Sequence, residues 1–317
     1  MMRRYLPSVV TSTPHYLADV IVADNGSDDG SLEMLAAEFP QVKVIRLDRN
    51  YGFAEGYNRA IEAVGNEYVV LLNSDVAVPD GWLQPLYDYM SAYPDTGACQ
   101  PKILSDRSRD SFEYAGAAGG FIDANGYPYC RGRLFGTVEK DNGQYDSVID
   151  IDWASGACLF VKRQVYLDAG GLDASFFAHM EEIDLCWRIR RMGYRLAVVP
   201  QSHVYHLGGG TLPVGNPQKT YLNFRNNLLL LRKNLPQAVR RRKLFVRRLY
   251  DTLAGAMFLA TGKWADAKAV ARAHRDYSRM SKSIIVPDMP ELDLTAGAPN
   301  IVVRYYFKGH HRYSDLG

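Results

Sequence analysis

The chain has 317 residues, 47% of them hydrophobic and 23% charged, with a formal net charge of +2. That is enough apolar material for one large domain with an appendage or for two small domains, and it excludes a disordered chain. The charge is unevenly spread: residues 235–282 carry twelve Lys or Arg against three Asp and no Glu, which leaves the remainder about seven negative.

In chain order, Met1-Met-Arg-Arg-Tyr-Leu-Pro has two arginines but no apolar core of signal-peptide length behind them. Val20-Ile-Val-Ala23 reads as a short strand ending in Asp24-Asn25-Gly26-Ser27-Asp28-Asp29-Gly30, and a helix is predicted from Ser31. Val42–Arg46 is a second strand, followed by the turn Asn50-Tyr-Gly-Phe-Ala-Glu-Gly-Tyr-Asn58 and a helix to Val64. The apolar run Tyr68–Leu72 is a third, ending in Asn73-Ser74-Asp75. Strand, turn and helix alternate with polar residues at the strand ends, the pattern of an α/β sheet. Asp75 is the most informative residue, because open α/β sheets bind ligands at the C-terminal edges of their strands. Taken singly, Asp24 and Asp75 also fit turn and capping roles.

Ser105–Asp150 is rich in Gly, Asp and Tyr with little periodicity, and is read as loops or a short hairpin. Trp153-Ala-Ser-Gly-Ala-Cys158 leads into the strand Leu159–Val161. Glu181-Glu182-Ile183-Asp184 opens a helix marked by Leu185, Ile189 and Met192, where acidic side chains suit the first turn whether or not they do chemistry. From Arg240 to Arg248 six basic residues crowd the start of a helix whose Phe245, Leu249, Leu253, Ala256 and Ala260 recur at helical spacing. Such a helix either lies on an anionic membrane or packs its apolar face on the protein's own core. No run approaches the ~18 apolar residues of a membrane span. Nucleic acid is not an expected partner, since no aromatic residues are interleaved at stacking intervals and no binding motif occurs. Cys99, Cys130, Cys158 and Cys186 are widely spaced without a CxxC pair, which argues against a zinc ribbon and for a reduced, cytoplasmic protein. No GxGxxG follows a strand, so a dinucleotide enzyme is a weak rival.

The succession VIVADNGSDDGS, NYGFAEGYNRAI, VVLLNSDV, WASGACLFVKR, FFAHMEEIDLCWRIRRMGY and VPQSHVYHLGG, from Val20 to Gly210, resembles the inverting glycosyltransferases of family 2, in particular the rhamnosyltransferase-like branch that builds bacterial surface polysaccharides. The likeness continues through Tyr221–Asn227. It implies a GT-A fold with a mostly parallel sheet flanked by helices and a catalytic domain over 1–232; the basic, helically spaced segment beyond it is read as an amphipathic helical extension and tail over 233–317. It further implies donor contacts from Asp24, Asn25, Asn50, Gly52, Asn58, Asn73, Asp75, Trp153 and Gly156. Asn73-Ser74-Asp75 occupies the family's Asp-x-Asp position with Asn in the first place, one negative charge fewer. Mg²⁺ or Mn²⁺ held by Asp75 and His206 would stabilise the leaving diphosphate. The Gly208-Gly209-Gly210 run favours His206 over His203 by allowing close backbone approach. Glu182, beside Glu181, matches the general base, and Asp184 is the fallback.

The expected activity is sugar transfer, with rhamnose suggested, from a nucleotide-sugar donor to a glycan or lipid-linked acceptor at the inner face of the cell membrane, with peripheral contact to anionic lipid. Family members begin with a strand that this chain lacks, Tyr5–Pro14 matching the second half of the helix that follows it. A start codon assigned too late is the favoured explanation, against a truncated copy or a substitute segment. The rival from another class is a noncatalytic nucleotide-sugar-binding or assembly protein of the same fold.

Overall fold

The computed structural model describes residues 1–208 and 215–316. Its elements are α1 (Met2–Ser12), β1 (Ile21–Asp24), α2 (Ser31–Glu38), β2 (Lys43–Arg46), α3 (Phe53–Ala63), β3 (Tyr68–Leu72), β4 (Val76–Ala77), α4 (Gln84–Ala92) and β5 (Thr96–Ser105). Next come β6 (Gly120–Ile122), β7 (Pro128–Cys130), β8 (Arg133–Leu134), β9 (Thr137–Val138), β10 (Ile149–Asp150), β11 (Cys158–Lys162), α5 (Arg163–Asp168), α6 (Glu181–Arg191) and β12 (Arg195–His206). The helices α7 (Pro217–Asn234), α8 (Gln237–Ala260), α9 (Trp264–Met280) and α10 (Ile301–Lys308) complete the chain.

The strands form three sheets. β1 and β2 pair in parallel as a two-stranded unit, with Asp24 opposite Arg46. The central sheet runs β10-β12-β5-β11-β3, with β4 added on β12. β3, β5 and β12 point the same way, because β11 lies antiparallel between β3 and β5 while β12 runs parallel to β5; β4 and β10 are reversed. The expectation of a mostly parallel sheet is therefore corrected to a mixed one. The periodicity of Leu159–Val161 marks a buried strand but not its direction, and β11 is entered from the Ser105–Asp150 region rather than through a crossover helix.

Ser105–Asp150 is more ordered than its composition suggests. β6 to β9 form an antiparallel sheet on which α10 packs, with Tyr129, Leu134 and Ile301 in one cluster and Thr137 Oγ1 2.7 Å from the Tyr305 hydroxyl. The segment before α10 also returns to α6: Trp187 Nε1 donates to the Leu292 carbonyl, and Arg191 donates to those of Met289 and Pro290. The core under the central sheet joins Leu71, Leu159, Leu185 and Trp187 to the fully buried Leu228–Leu231 of α7. The four cysteines are free and buried.

Two features bear on function. Among the described residues β1 pairs only with β2 and β3 only with β11, and a single cavity runs between the unpaired edges of β1 and β3 as well as across the strand ends. The second is α8. Of its 24 residues only Arg247 and Asp251 are buried, paired at 2.8 Å, while Phe245, Leu249, Leu253 and Met257 are exposed. Val239 and Leu244 near its start pack on the core, but from Phe245 onward its large apolar residues are turned away from the core, unlike those of an amphipathic helix laid on a protein.

Candidate active site

The cavity is about 2830 Å³ and takes in the ends of β1, β3 and β12, the Trp153–Ala157 turn and the start of α6. It exceeds an ordinary small-molecule pocket of ~300–1,000 Å³ because it includes the gap between the sheets.

At one end, Asp24 closes β1 with its carboxylate buried and accepting from the Ser27 amide at 3.3 Å. Asn25 ties this turn to the next: its Nδ2 donates to the Gly52 carbonyl at 2.9 Å and its Oδ1 accepts from the Tyr51 amide at 2.9 Å. Asn50 Oδ1 accepts from the Gly52 amide at 2.8 Å, and Gly52, at φ 81°, supplies the left-handed residue from which α3 starts. Asp24, Asn25, Asn50 and Gly52 thus gather at one end of the cavity. Asn58 does not join them. Its Oδ1 accepts from the Tyr166 hydroxyl at 2.6 Å and from the Leu172 amide at 2.9 Å, and its Nδ2 donates to the Leu172 carbonyl. Gly52 and Gly56 share a helix face one turn apart, and a residue two positions further on points to the other side. Asn58 is a structural clamp, a correction to its expected donor contact.

In the middle, β12 pairs His206 with Val76, the residue after Asp75. His206 Nε2 consequently sits 3.2 Å from Asp75 Oδ1, and its Nδ1 lies 3.4 Å from Glu113 Oε2. Burial works against the imidazolium, but the contacts with Asp75 and Glu113 outweigh it and raise His206 to about 9. On the Asp75 side, burial favours the neutral acid, and the bond to His206 outweighs this to hold the carboxyl below its usual range. His203 is directed elsewhere, against the Tyr205 hydroxyl at 3.2 Å. The glycines after Gly208, Gly209 and Gly210, lie outside the described residues. Asn73 donates its amide to the Ala157 carbonyl at 3.1 Å, which fixes the β3 end against the Trp153–Ala157 turn. Trp153 is buried, its Nε1 donating to the Phe121 carbonyl at 3.0 Å.

At the far side, a Cβ on Gly156 would lie 3.6 Å from that of Glu182, so the same turn brings α6 to the cavity. Glu181 and Glu182 line it, and one carboxylate oxygen of each is buried without a hydrogen-bond partner among the described residues. Burial, reinforced by Glu182, raises Glu181 to about 8, and burial raises Glu182 as well. The approach to this pair is strained, since Phe177, His179 and Met180 all have φ between 67° and 78°. Asn226 Nδ2 reaches the carbonyls of Ala178 and His179 at 2.8 and 2.7 Å, and Arg225 that of Phe176 at 2.7 Å. Burial and then Lys219 push His179 down to about 4, so a neutral imidazole lines the cavity.

Asp184 is the third correction. It is fully buried, accepting from Arg188 Nη2 at 2.7 Å, Lys233 Nζ at 2.8 Å and Asn234 Nδ2 at 2.7 Å, and it faces away from the cavity. Glu113, Arg225 and Asn226 went unassigned from sequence. Glu113 lies in a stretch without periodicity, where no signal pointed to it.

Asp75 and His206 offer a hard oxygen and a nitrogen converging on one point, a donor set that fits Mg²⁺ or Mn²⁺ once the proton between them leaves. No group of three such ligands is assembled among the described residues, so a bound diphosphate would have to supply the other oxygens.

A mixed α/β sheet with acidic strand ends converging on one cleft defines a nucleotide-sugar transferase fold of the GT-A type. Residues 1–153 match the model of glycosyl transferase family 2. The chain is 29% identical over 223 residues to the N-acetylglucosaminyl-diphospho-decaprenol L-rhamnosyltransferase of Mycobacterium tuberculosis, covering 65% of this chain and 71% of that one. Among solved structures, GalNAc-T7 with UDP, GalNAc and Mn²⁺ superposes with TM-score 0.55 at 18% identity, over 74% of this chain and 46% of that one. The mannosyltransferase PcManGT of Pyrobaculum calidifontis, in complex with GDP-Man and Mn²⁺, gives 0.53 at 15% over 87% and 83%. In these comparisons the chain is similar to glycosyltransferase family 2, and within it to a rhamnosyltransferase.

Proposed function

We propose that this protein transfers a sugar with inversion, rhamnose being the first candidate, from a nucleoside-diphosphate donor to a lipid-linked acceptor in cell-envelope glycan synthesis. The observation that carries the reading is the shared cleft: the Asp75–His206 pair and the unpartnered Glu181–Glu182 carboxylates line one cavity, joined through Asn73, Ala157 and Gly156. The relative's printed name supplies the acceptor class.

Asp24, Asn25, Asn50 and Gly52 would hold the nucleoside, and Asp75 with His206 the divalent cation. Such a cation, when bound, neutralises charge on the departing diphosphate. Glu182 accepts the proton of the acceptor hydroxyl as that oxygen bonds to the anomeric carbon and the carbon–oxygen bond to the diphosphate breaks. Burial raises the Glu182 carboxyl, which makes it a better proton acceptor once ionised. Asn226 and Arg225 position it by holding the strained turn. The site would work at a membrane surface through the exposed apolar face of α8, within residues 233–317; no helix among the described residues is long and apolar enough to cross a bilayer.

Glu182→Gln tests the assignment. Transfer from UDP-, dTDP- and GDP-sugars is expected to fall by about 10²–10⁴ in kcat while binding of the matching nucleotide is kept. Equal activity in variant and parent would remove Glu182 from the chemistry and favour a nucleotide-sugar-binding protein.

A further inference from the structure

The exposed apolar face of α8 does not end at the surface. Tyr250, Leu253 and Met257 of α8 and Val302, Tyr306 and Phe307 of α10 line the same cavity as Asp75 and Glu182. Leu253, Met257, Tyr306 and Phe307 are 64%, 50%, 56% and 80% exposed, so the groove is open to the outside along its length. Its inner end is aromatic and then cationic. Tyr306 stands 5.2 Å from the Phe135 ring, and the Tyr114 ring is flanked by Arg133 at 4.6 Å and Lys219 at 5.7 Å. Tyr114 adjoins Glu113, which touches His206. An apolar trough therefore runs from the surface, past two cations, to the reacting centre.

Water is a poor neighbour for such a trough, since large apolar side chains left exposed over a contiguous patch mark a binding surface. The buried face of α8 carries an ion pair, Arg247 with Asp251, stacked on Tyr127 at 3.7 Å. Arg247 and Asp251 are satisfied inward, while Leu249, Leu253 and Met257 are presented outward. We infer that the groove between α8 and α10 holds the hydrocarbon chain of a polyprenyl-phosphate-linked acceptor, with Lys219 and Arg133 at the phosphate end. The inference rests on the lipid-linked acceptor proposed above, and adds where the lipid lies. Order of charge supports this occupant over a bare bilayer or a second copy: the cations sit at the inner end, beside the reaction centre, where a lipid phosphate carrying the acceptor sugar must come.

The test measures binding without any donor, so a chain that transfers nothing still answers it. Co-flotation is compared between phosphatidylglycerol vesicles and vesicles of equal charge in which part of that lipid is replaced by a long-chain polyprenyl phosphate. The intact chain is expected to bind the second kind about tenfold more tightly, a gain of ~1.4 kcal/mol. Leu253→Asp with Phe307→Asp, both at exposed positions, is expected to abolish that gain with melting unchanged. Met257→Asp serves in its place if the pair lowers melting. Equal binding to both vesicle kinds by the intact chain, or a gain that survives in the variants, would overturn the groove. Equal loss from both kinds in the variants, with the gain retained, would assign these residues to general membrane contact and overturn it too.

Discussion

Glu182 and Asp184 stand two residues apart at the start of α6, both in carboxylate-rich sequence and both turned away from bulk water, and they do opposite things. Asp184 is met by Arg188, Lys233 and Asn234, and these contacts outweigh burial to hold its carboxyl below the usual range. Glu182 and its neighbour Glu181 each keep an oxygen without a partner among the described residues, and their carboxyls are pushed up. A buried charge with partners is architecture, whereas one denied them is free to trade a proton with something that enters the cleft. The loop before α6 enforces the distinction, because Asn226 and Arg225 spend their hydrogen bonds on its carbonyls and leave the glutamates unserved.

Removing the partnered group should do the greater damage to the fold. Asp184→Ala leaves Arg188 buried without a counter-charge and Lys233 with Asp173 alone, and is expected to cost about 3–5 kcal/mol, read as a fall in denaturation midpoint or loss of soluble protein. Glu182→Gln at the unpartnered position should melt within a few degrees of the parent; an equal loss of stability in both variants would break the comparison.

Glu181 gives the smaller and sharper effect. Its native carboxyl keeps a proton up to about pH 8, whereas in the unfolded chain it loses that proton near the ordinary glutamate value. The unfolded state therefore binds fewer protons in between, and stability declines as pH rises through that window. Glu181→Gln should flatten the decline, raising the melting temperature at pH 8 relative to the parent by ~2–4 °C for each kcal/mol recovered, with no such gain at pH 4. A parent whose melting is level from pH 5 to 8 would contradict the account of this pair.

What could be read from sequence was local. The runs at Val20–Ala23, Val42–Arg46 and Tyr68–Leu72 became strands within a residue or so, and helices begin at Ser31 and Glu181 as their signals indicate. These depend on neighbours a few positions away. The role of Asp184 depends on Lys233 and Asn234, 49 and 50 residues on, and that of Asn58 on Leu172, 114 residues on; neither partner leaves a mark near the residue it claims. The reversed direction of β11 and the meeting of Glu113 with His206 are likewise set by how distant segments close on one another. On α8 the spacing of Phe245, Leu249 and Leu253 was visible, but which face turns inward was decided by Asn227 and Tyr127, which receive Arg247.

Titration calorimetry with UDP, dTDP and GDP, each with Mn²⁺ and with EDTA, tests most directly whether the Asp75–His206 end of the cleft is a working donor site. One nucleotide is expected to bind in a Mn²⁺-dependent way. Its affinity should rise with pH toward about 9, because the ion must displace the proton that His206 holds below that value. Asp75→Asn should remove the Mn²⁺ dependence. Folded protein that binds none of the three, or binds one equally in EDTA and in the Asp75 variant, would contradict the donor site proposed here.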